Sequence, residues 1–334
     1  MAERITSGQN PKVKELLALQ EKSKLRREKG LFVLEGRREL EHALEAGFRI
    51  DTLFICPEIL ELTAETPLLC KVLRPLGFAR DDKFVISSES SVISSESSVI
   101  SSESSVISSE RSESRNLSYF EVSPAVYSKI AYREGTEGII AEMVTPERNL
   151  DSLSLPENPL VMVLESVEKP GNLGAVLRSA DAAGAGAVIV CDPLTDLFNP
   201  NLIRASIGAV FTVPVVTATS EEAIKYLKNK GIRILTAQLQ DSVLYYNSDM
   251  SRGVALVMGT EATGLSDAWR QAADEHIRIP MLGRLDSLNV SVSAAILLFE
   301  AVRQRQSSVI QSTNSVISST NSVISSERSE SRNL

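Results

Sequence analysis

Six short apolar runs, separated by segments of helical pattern, follow residue 159 and constrain the fold more than any other feature of the chain. They read LVMVLES, AGAVIVCD, FTVPVV, GIRILTA, GVALVMG and HIRIPM. Most of them are continuous and do not alternate polar with apolar residues, which is the pattern expected when helices cover both faces of a sheet. The pattern therefore predicts a mostly parallel α/β sheet. Ligand sites in such sheets lie outside the carboxyl ends of the strands.

The bulk composition agrees with this fold class and excludes several functions. The chain has 334 residues, a hydrophobic content of 43%, an aromatic content of 5% and a formal net charge of −8. This length suits two domains of about 150 residues each. The negative charge means that any binding to nucleic acid needs a local basic patch. Three cysteines without C-x-x-C spacing predict neither disulfides nor a metal site.

No apolar stretch reaches the ~18 residues of a membrane span, and the first residues lack the apolar core of a signal peptide. Together with the unpaired cysteines, this favours a cytoplasmic protein that makes no contact with a membrane.

Two serine-rich repeats do not fit any core. Residues 85–117 carry the repeated heptapeptide VISSESS, and residues 307–334 repeat related units such as SVISSTN. Adjacent Val and Ile do not give the a/d spacing of a coiled coil, and too little apolar surface is available to offset the entropy of ordering. Both segments are expected to be disordered.

The remaining N-terminal residues predict a small α/β sandwich within residues 1–150. A basic helix, PKVKELLALQEKSKLRREKG, precedes the strand LFVLEG, and further alternation of strands and helices follows. The polar, Pro-containing stretch TPERNLDSLSLPENP leads into a second domain at 151–306.

Two of the loops at the expected strand ends carry polar groups. After the first strand, GNLGAVLR turns into a helix whose N-terminus could hold an anion, although it lacks the dinucleotide fingerprint G-x-G-x-x-G. Arg178 follows Asn172 on this helix, and taken alone it could equally be an ordinary exposed arginine. After the fifth strand, Gly259 permits close backbone approach and Glu261 places a carboxylate at the strand end.

The stretch LDSLNVS at the start of the last helix holds more hydrogen-bonding groups than a helix cap requires. A single cap needs one side chain, yet Ser287, Asn289 and Ser291 are all suitable. Capping therefore accounts for one of these residues and leaves the others available for a site.

Taken together, three motifs resemble those of one known family. They are N-x-G-x-x-x-R from Asn172, G-x-E-x-x-G-L from Gly259 and I-P-M-x-G-x-x-x-S-L-N-V-S from Ile279. The set resembles the SpoU/TrmH group of RNA ribose 2′-O-methyltransferases, of the SPOUT superfamily, over residues 158–306. The sequence EKGLFVLEGRRELEHALEAG resembles the ribosomal-protein-like RNA-binding domain that often precedes such enzymes.

The resemblance implies a deep trefoil knot, a homodimer formed through that knot, and S-adenosylmethionine as the cofactor. Carried over by motif or by neighbouring strand end, the cofactor-binding residues are Ala237, Gly259, Ile279, Met281 and Leu288. The implied catalytic residues are Arg178, Glu261, Ser287 and Asn289, with Asn172 on the substrate side.

A basic N-terminal stretch is the candidate RNA contact, with Arg26, Arg27 and Arg37 among its members. Interleaved glutamates leave open that this is only a solvated helix face. Ribosomal RNA is the preferred substrate and tRNA is possible. A catalytically silent RNA-binding or ribosome-assembly protein on the same fold is the main alternative, whereas the incomplete fingerprint argues against a nicotinamide dehydrogenase.

Overall fold

The structure of the chain is a computed structural model, and it describes residues 3–62, 65–78, 117–132, 137–260, 263–285 and 287–307. The repeat segments expected to be disordered lie outside these ranges, apart from Leu117 and Ser307 at their inner ends. Ser307 belongs to the last helix, so the ordered chain continues at least one residue beyond the predicted domain end at 306.

The described residues form two compact units. The first unit runs to Glu147 and also contains Asp196–Thr212, and the second unit contains Arg148–Thr195 and the residues from Val213 onward. The segment Asp196–Thr212, which the sequence groups with the second domain, thus belongs to the first unit.

A five-stranded sheet organises the first unit, with strand order β1-β4-β3-β5-β2. Its strands are β1 (Glu3–Ile5), β2 (Leu31–Glu35), β3 (Ile50–Ile55), β4 (Ser118–Val122) and β5 (Ile139–Val144). Strand β5 is antiparallel to β2 and β3, whereas β4 is parallel to β3 and β1. The small N-terminal α/β domain is confirmed, and β1 is a strand that the sequence pattern did not predict.

Among the described residues before Glu147, the helices of this unit are α1 (Pro11–Glu21), α2 (Ser23–Lys29), α3 (Arg37–Glu45), α4 (Pro67–Leu73) and α5 (Pro124–Ile130). The single basic helix expected from the sequence is divided into α1 and α2, because Lys22 adopts an extended backbone conformation between them. Asn10 caps α1 by accepting a hydrogen bond from the backbone N–H of Lys12.

Seven strands build the sheet of the second unit, in the order β10-β12-β9-β11-β6-β7-β8. They are β6 (Leu160–Glu165), β7 (Ala187–Cys191), β8 (Val215–Ala218), β9 (Arg233–Ala237), β10 (Val243–Leu244), β11 (Val254–Met258) and β12 (Glu275–Arg278). Every pairing between these strands is parallel. The predicted parallel sheet is confirmed.

The later helices are α6 (Pro170–Ala182), α7 (Pro200–Ser206), α8 (Ala209–Thr212), α9 (Ser220–Asn229), α10 (Asp267–Ala272) and α11, described over 290–307. The run FTVPVV is not the strand that the sequence predicted, because its first two residues end helix α8. Pro214 lacks a backbone N–H, and the strand of the ladder begins after it, at Val215.

The core of the second unit lies on both faces of its sheet. All six residues of β6 are buried, so neither side of this strand faces solvent. Ala223 and Leu227 of α9 and Trp269 of α10 join alternate strand residues in one apolar cluster. Covered parallel strands of this kind leave the loops at the strand ends as the accessible part of the sheet.

Four phenylalanines contribute to the core of the first unit. Phe32 and Phe198 stack at 4.4 Å between ring centroids, and Phe48 meets Phe211 edge to face at 5.1 Å. Phe198 and Phe211 come from the segment Asp196–Thr212. This segment is therefore held in the first unit by buried aromatic contacts.

The far end of helix α11 is fixed at the amino ends of two strands. The Arg305 guanidinium donates to the carbonyls of Asn158 and Pro159, which precede β6, and to that of Arg252, which precedes β11. The helix begins beside the opposite, carboxyl ends of the strands. The trefoil knot expected for this region stays a prediction.

Candidate active site

A cavity of about 310 Å³ opens at the carboxyl ends of β9, β11 and β12. Its walls come from the loops that follow these strands and from the start of α11. The residues are Ala237, Gln238, Leu239, Gln240, Met258, Gly259, Thr260, Gly264, Leu265, Arg270, Ile277, Arg278, Ile279, Met281, Ser287, Leu288, Val290 and Ser293. The cavity thus occupies the place where parallel α/β sheets bind small ligands.

Two glycines shape the wall that follows β11. A side chain at Gly259 would place its Cβ 2.2 Å from the carbonyl oxygen of Gly264, so only glycine fits there. Gly264 has φ of +68°, a left-handed conformation that glycine adopts without strain. The backbone N–H of Gly264 donates to the carbonyl of Thr260 at 3.0 Å. The two described ends of this loop, Gly259–Thr260 and Gly264, therefore lie in close contact at the cavity wall.

The five residues that the resemblance assigns to cofactor binding all line this cavity. They are Ala237 at the end of β9, Gly259 after β11, Ile279 and Met281 after β12, and Leu288 before α11. Ser287 lines the same cavity. The structure brings together residues from three separate parts of the sequence.

The polar residues at the start of α11 have two roles: one caps the helix, and another lines the cavity. The Asn289 side chain caps the helix, because its Oδ1 accepts from the backbone N–H of Ser291 at 2.9 Å and from its hydroxyl. The Asn289 amide also donates to Asn172 Oδ1 at 3.1 Å. This bond connects α11 to the first turn of α6, whereas Ser287 is left at the cavity wall.

Arg178 lies apart from the cavity of its own chain. It is on the exposed side of α6, whose other face buries Leu173, Val176 and Leu177. Its guanidinium has neither a hydrogen bond nor an ion pair with any of the residues that the structure describes. Glu261, the other charged residue of the predicted catalytic set, lies outside the described residues.

Two arginines of the cavity were not predicted from the sequence. Arg278 ends β12 and donates to the carbonyl and hydroxyl of Ser242. Arg270 lies on α10 and also reaches the cavity. Neither residue belongs to a motif, and nothing in the surrounding sequence distinguishes either of them from an ordinary surface arginine.

The three arginines predicted to contact RNA meet different environments in the first unit. Arg26 is only 3% exposed; it pairs with Asp196 at 2.6 Å and donates to the carbonyl of Leu19. This placement does not fit a contact with RNA. Arg37 is partly buried beside Glu137, to which its Nε donates at 3.4 Å. Arg27 is exposed and available to a phosphate.

A buried carboxyl lies near the basic helices of the first unit. Glu142 on β5 is 2% exposed, and its Oε1 has no hydrogen-bond partner within the described part of the chain. Burial raises the pKa of the Glu142 carboxyl to about 7, and the charge of Glu15 acts in the same direction. Glu15 itself is paired with Lys29 and Lys12, which lower its pKa.

Fold and cavity together define an α/β protein that holds a small ligand outside the carboxyl ends of a parallel sheet. Residues 159–299 match the SpoU rRNA methylase family, and residues 10–74 match the MRM3-like substrate-binding domain. The chain is 39% identical over 179 residues to the 23S rRNA (guanosine-2′-O-)-methyltransferase RlmB of Vibrio cholerae, covering 52% of this chain and 72% of that protein.

Other relatives agree. The Escherichia coli protein of the same name is 42% identical over 177 residues, covering 51% of this chain and 72% of that protein. A solved RNA 2′-O ribose methyltransferase is 36% identical with a TM-score of 0.66, covering 91% of this chain and 99% of that one. An AdoMet-bound rRNA methyltransferase from Sinorhizobium meliloti is 29% identical with a TM-score of 0.70, covering 90% and 98%. The chain belongs to the SpoU rRNA methylase family.

Proposed function

We propose that this protein transfers a methyl group from S-adenosylmethionine to a ribose 2′-hydroxyl of ribosomal RNA. The observation that carries the proposal is the convergence of Ala237, Gly259, Ile279, Met281 and Leu288 on one cavity at the strand ends. These residues are far apart in sequence. The chain belongs to a family whose solved members include an AdoMet-bound rRNA methyltransferase.

The cavity suits the cofactor in shape and chemistry. Ile279, Leu288 and Leu265 supply apolar walls for a flat purine ring, and the absence of a side chain at Gly259 exposes main-chain groups to it. When bound, S-adenosylmethionine supplies a methyl group on a positively charged sulfur, which an oxygen nucleophile can displace in line.

Arg178 is the proposed catalytic residue of the chain. Its guanidinium, with an ordinary pKa above about 12, is a poor acceptor for the proton of the 2′-hydroxyl. We assign it instead to binding the neighbouring phosphate and stabilising the alkoxide that develops on the ribose oxygen. Glu261, Ser287, Asn289 and Asn172 complete the proposed polar set. The Asn289–Asn172 hydrogen bond holds two of them in place.

The position of Arg178 supports a homodimer. Because Arg178 is exposed and does not line the cavity of its own chain, the cavity that it serves would belong to a second subunit. Helix α11 offers a surface for this pairing: Val292 and Phe299, seven residues apart on one face, are each 48% exposed. Two such faces, one from each subunit, would cover each other.

The substrate follows from the relatives and from the first unit. The curated relatives are named as acting on a guanosine of 23S rRNA. The first unit matches a substrate-binding domain and carries exposed basic residues such as Arg27, Lys22 and Lys24. We therefore propose a guanosine of the large-subunit rRNA as the target and the cytoplasm as the place of action.

A methyl-transfer assay tests the proposal. The full chain is incubated with methyl-labelled cofactor and, separately, with large-subunit rRNA and with total tRNA. We expect label only in the rRNA, at one 2′-oxygen, and the phosphodiester bond next to that nucleotide should become resistant to alkaline cleavage. Label in tRNA alone would show that tRNA, and not rRNA, is the substrate. RNA binding without any labelling would favour the catalytically silent RNA-binding alternative.

A further inference from the structure

Arg270 presents a charged group to the cavity from a rigid base. Helix α10 is fixed by the indole N–H of Trp269, which donates to Ser220 Oγ at 3.0 Å, and by the backbone N–H of Ser266, which donates to Glu165 at 2.8 Å. Trp269 is fully buried, and Arg270 follows it directly. The side chain of Arg270 therefore enters the cavity from an element that has little freedom to move.

The guanidinium of Arg270 lacks an acceptor. Its Nε is buried without a hydrogen-bond partner, and the other guanidinium nitrogens bond to none of the residues that the structure describes. One of them, Nη2, lies 3.8 Å from the position that a Cβ at Gly264 would take. A buried N–H without an acceptor is unfavourable, so the geometry favours a ligand group that accepts from this guanidinium, and an anion does so best.

The rest of the cavity wall does not supply that anion. Arg278 is a second cation there, and its Nη1 donates to the carbonyl and hydroxyl of Ser242. No aspartate or glutamate occurs among the described residues that line the cavity. The described part of the cavity wall therefore supplies no anion for Arg270, and a bound ligand can bring one.

We propose that Arg270 binds the carboxylate of the amino-acid part of the cofactor. This inference rests on the proposed function. Of the groups on S-adenosylmethionine, the adenosine is neutral and the sulfonium and ammonium are cations, so the carboxylate is the single anion. A guanidinium can bind a carboxylate through two parallel hydrogen bonds, which fixes its direction as well as its charge. Arg270 thereby sets where the amino-acid part lies and selects ligands that carry a carboxylate.

Two ligands that differ only in this group provide the test. S-adenosylhomocysteine has the carboxylate, and S-adenosyl-3-thiopropylamine is the same molecule without it. Calorimetric titration of the full chain gives the Kd of each for the wild type, Arg270→Gln and Arg270→Lys. Arg278→Gln is the matched control, since it removes another arginine of the same cavity, one whose Nη1 is held by Ser242.

We expect the wild type to bind S-adenosylhomocysteine about 10- to 100-fold more tightly than the amine. Arg270→Gln should abolish most of this preference by weakening only the carboxylate ligand, and Arg270→Lys should restore part of it. Arg278→Gln should keep the preference. Thermal melting of each variant without ligand checks that the fold is intact.

Three results would overturn the inference. An equal loss for both ligands in Arg270→Gln would mean that Arg270 supports the loop at Gly264 instead. Unchanged binding of both ligands would show that Arg270 does not contact the cofactor. If the same variant also lost affinity for RNA, Arg270 would be assigned to an RNA phosphate instead. Failure of the wild type to bind either ligand contradicts the proposed function itself, which is a separate outcome.

Discussion

Helix α2 of the first unit and helix α6 of the second each carry an arginine in their middle turns, and the two side chains meet opposite environments. Arg26 of α2 is buried, ion-paired with Asp196 and bonded to the carbonyls of Leu19 and Gln20. Arg178 of α6 is exposed and bonds to none of the described residues. One arginine is used by the fold, and the other is left for a partner molecule.

The comparison distinguishes two roles of an arginine on a helix: stabilising the fold and binding an anion from outside the protein. A guanidinium whose donors are all used inside the protein cannot also neutralise a phosphate, whatever the local density of basic residues. A guanidinium held on a rigid helix without internal partners keeps its full capacity for an external anion. Counting charges along a sequence does not distinguish the two cases, and the partners of each side chain do.

Removal of Arg178 should have the largest effect. Arg178→Ala is expected to reduce the rate of methyl transfer by about 1000-fold, because stabilisation of the developing charge is lost in a preorganised site. Binding of S-adenosylhomocysteine should stay within threefold of the wild type, since Arg178 does not line its own chain's cavity. Single-turnover kinetics and calorimetry measure the two quantities. Wild-type turnover in this variant would show that Arg178 is not catalytic.

Removal of Arg26 should act on stability and leave the chemistry of folded molecules intact. Arg26→Ala leaves the Asp196 carboxylate without its partner, and we expect a loss of about 3 kcal/mol in the free energy of unfolding. The value is at the lower end for a buried pair because Asp196 keeps 17% of its side chain exposed. Urea denaturation measures it, with the neighbouring Arg27→Ala as control. Equal stability of both variants would contradict the buried ion pair.

Glu142 is a buried carboxyl of the first unit whose Oε1 has no hydrogen-bond partner among the described residues, and its replacement by a neutral side chain should be stabilising. Its pKa rises from 4.5 to about 7 on folding, so the folded state holds this proton more tightly than the unfolded chain. The free energy of unfolding therefore falls as pH rises from about 4.5 to 7, and it does not recover at higher pH. Glu142→Gln should therefore stabilise the unit by about 2 kcal/mol at pH 8. The pKa shift corresponds to ~3 kcal/mol, but the gain is smaller because burial of the polar Gln amide also costs free energy.

Hydrogen exchange of the β5 amides at pH 8 and pH 5 measures this effect in the first unit alone. We expect a clear gain at pH 8 and almost none at pH 5, where the wild-type carboxyl is protonated in the folded state. The same gain at both pH values would mean that ionisation of Glu142 is not the cause.

The smallest change is expected at Arg27. Because its side chain is exposed, Arg27→Gln should weaken RNA binding only a few-fold and reduce the slope of log affinity against log salt by about 1. Titrations at several salt concentrations give the slope. An unchanged slope would leave α2 as a solvated helix face, which is the alternative that its interleaved glutamates leave open.

The sheet of the second unit could be predicted because strands such as β6, β7 and β11 are continuous apolar runs, and its carboxyl edge could be predicted because the strands are parallel. The short strands β1 and β10, of three and two residues, carry too little pattern to be recognised. The break at Lys22 was missed because charged residues are compatible with helix on both sides of it.

Within the site, spacing identified the residues whose types the loop geometry or the family motif requires, such as Gly259 and Asn289. Arg270 could not be found in this way. Its position at the cavity depends on the anchoring of α10 through Trp269 and Ser220, residues 49 positions apart. The burial of Arg26 similarly depends on Asp196, 170 positions away.

The segment Asp196–Thr212 gives the two units an uncommon connectivity. The chain leaves the second unit after β7, contributes Phe198 and Phe211 to the first, and returns to form β8, which is the neighbour of β7 in the sheet. The polypeptide therefore passes between the units three times. A gene divided near residue 150 would leave the first fragment without Phe198 and Phe211, which belong to its core, so genetic dissection of this protein has to keep the segment with the first unit.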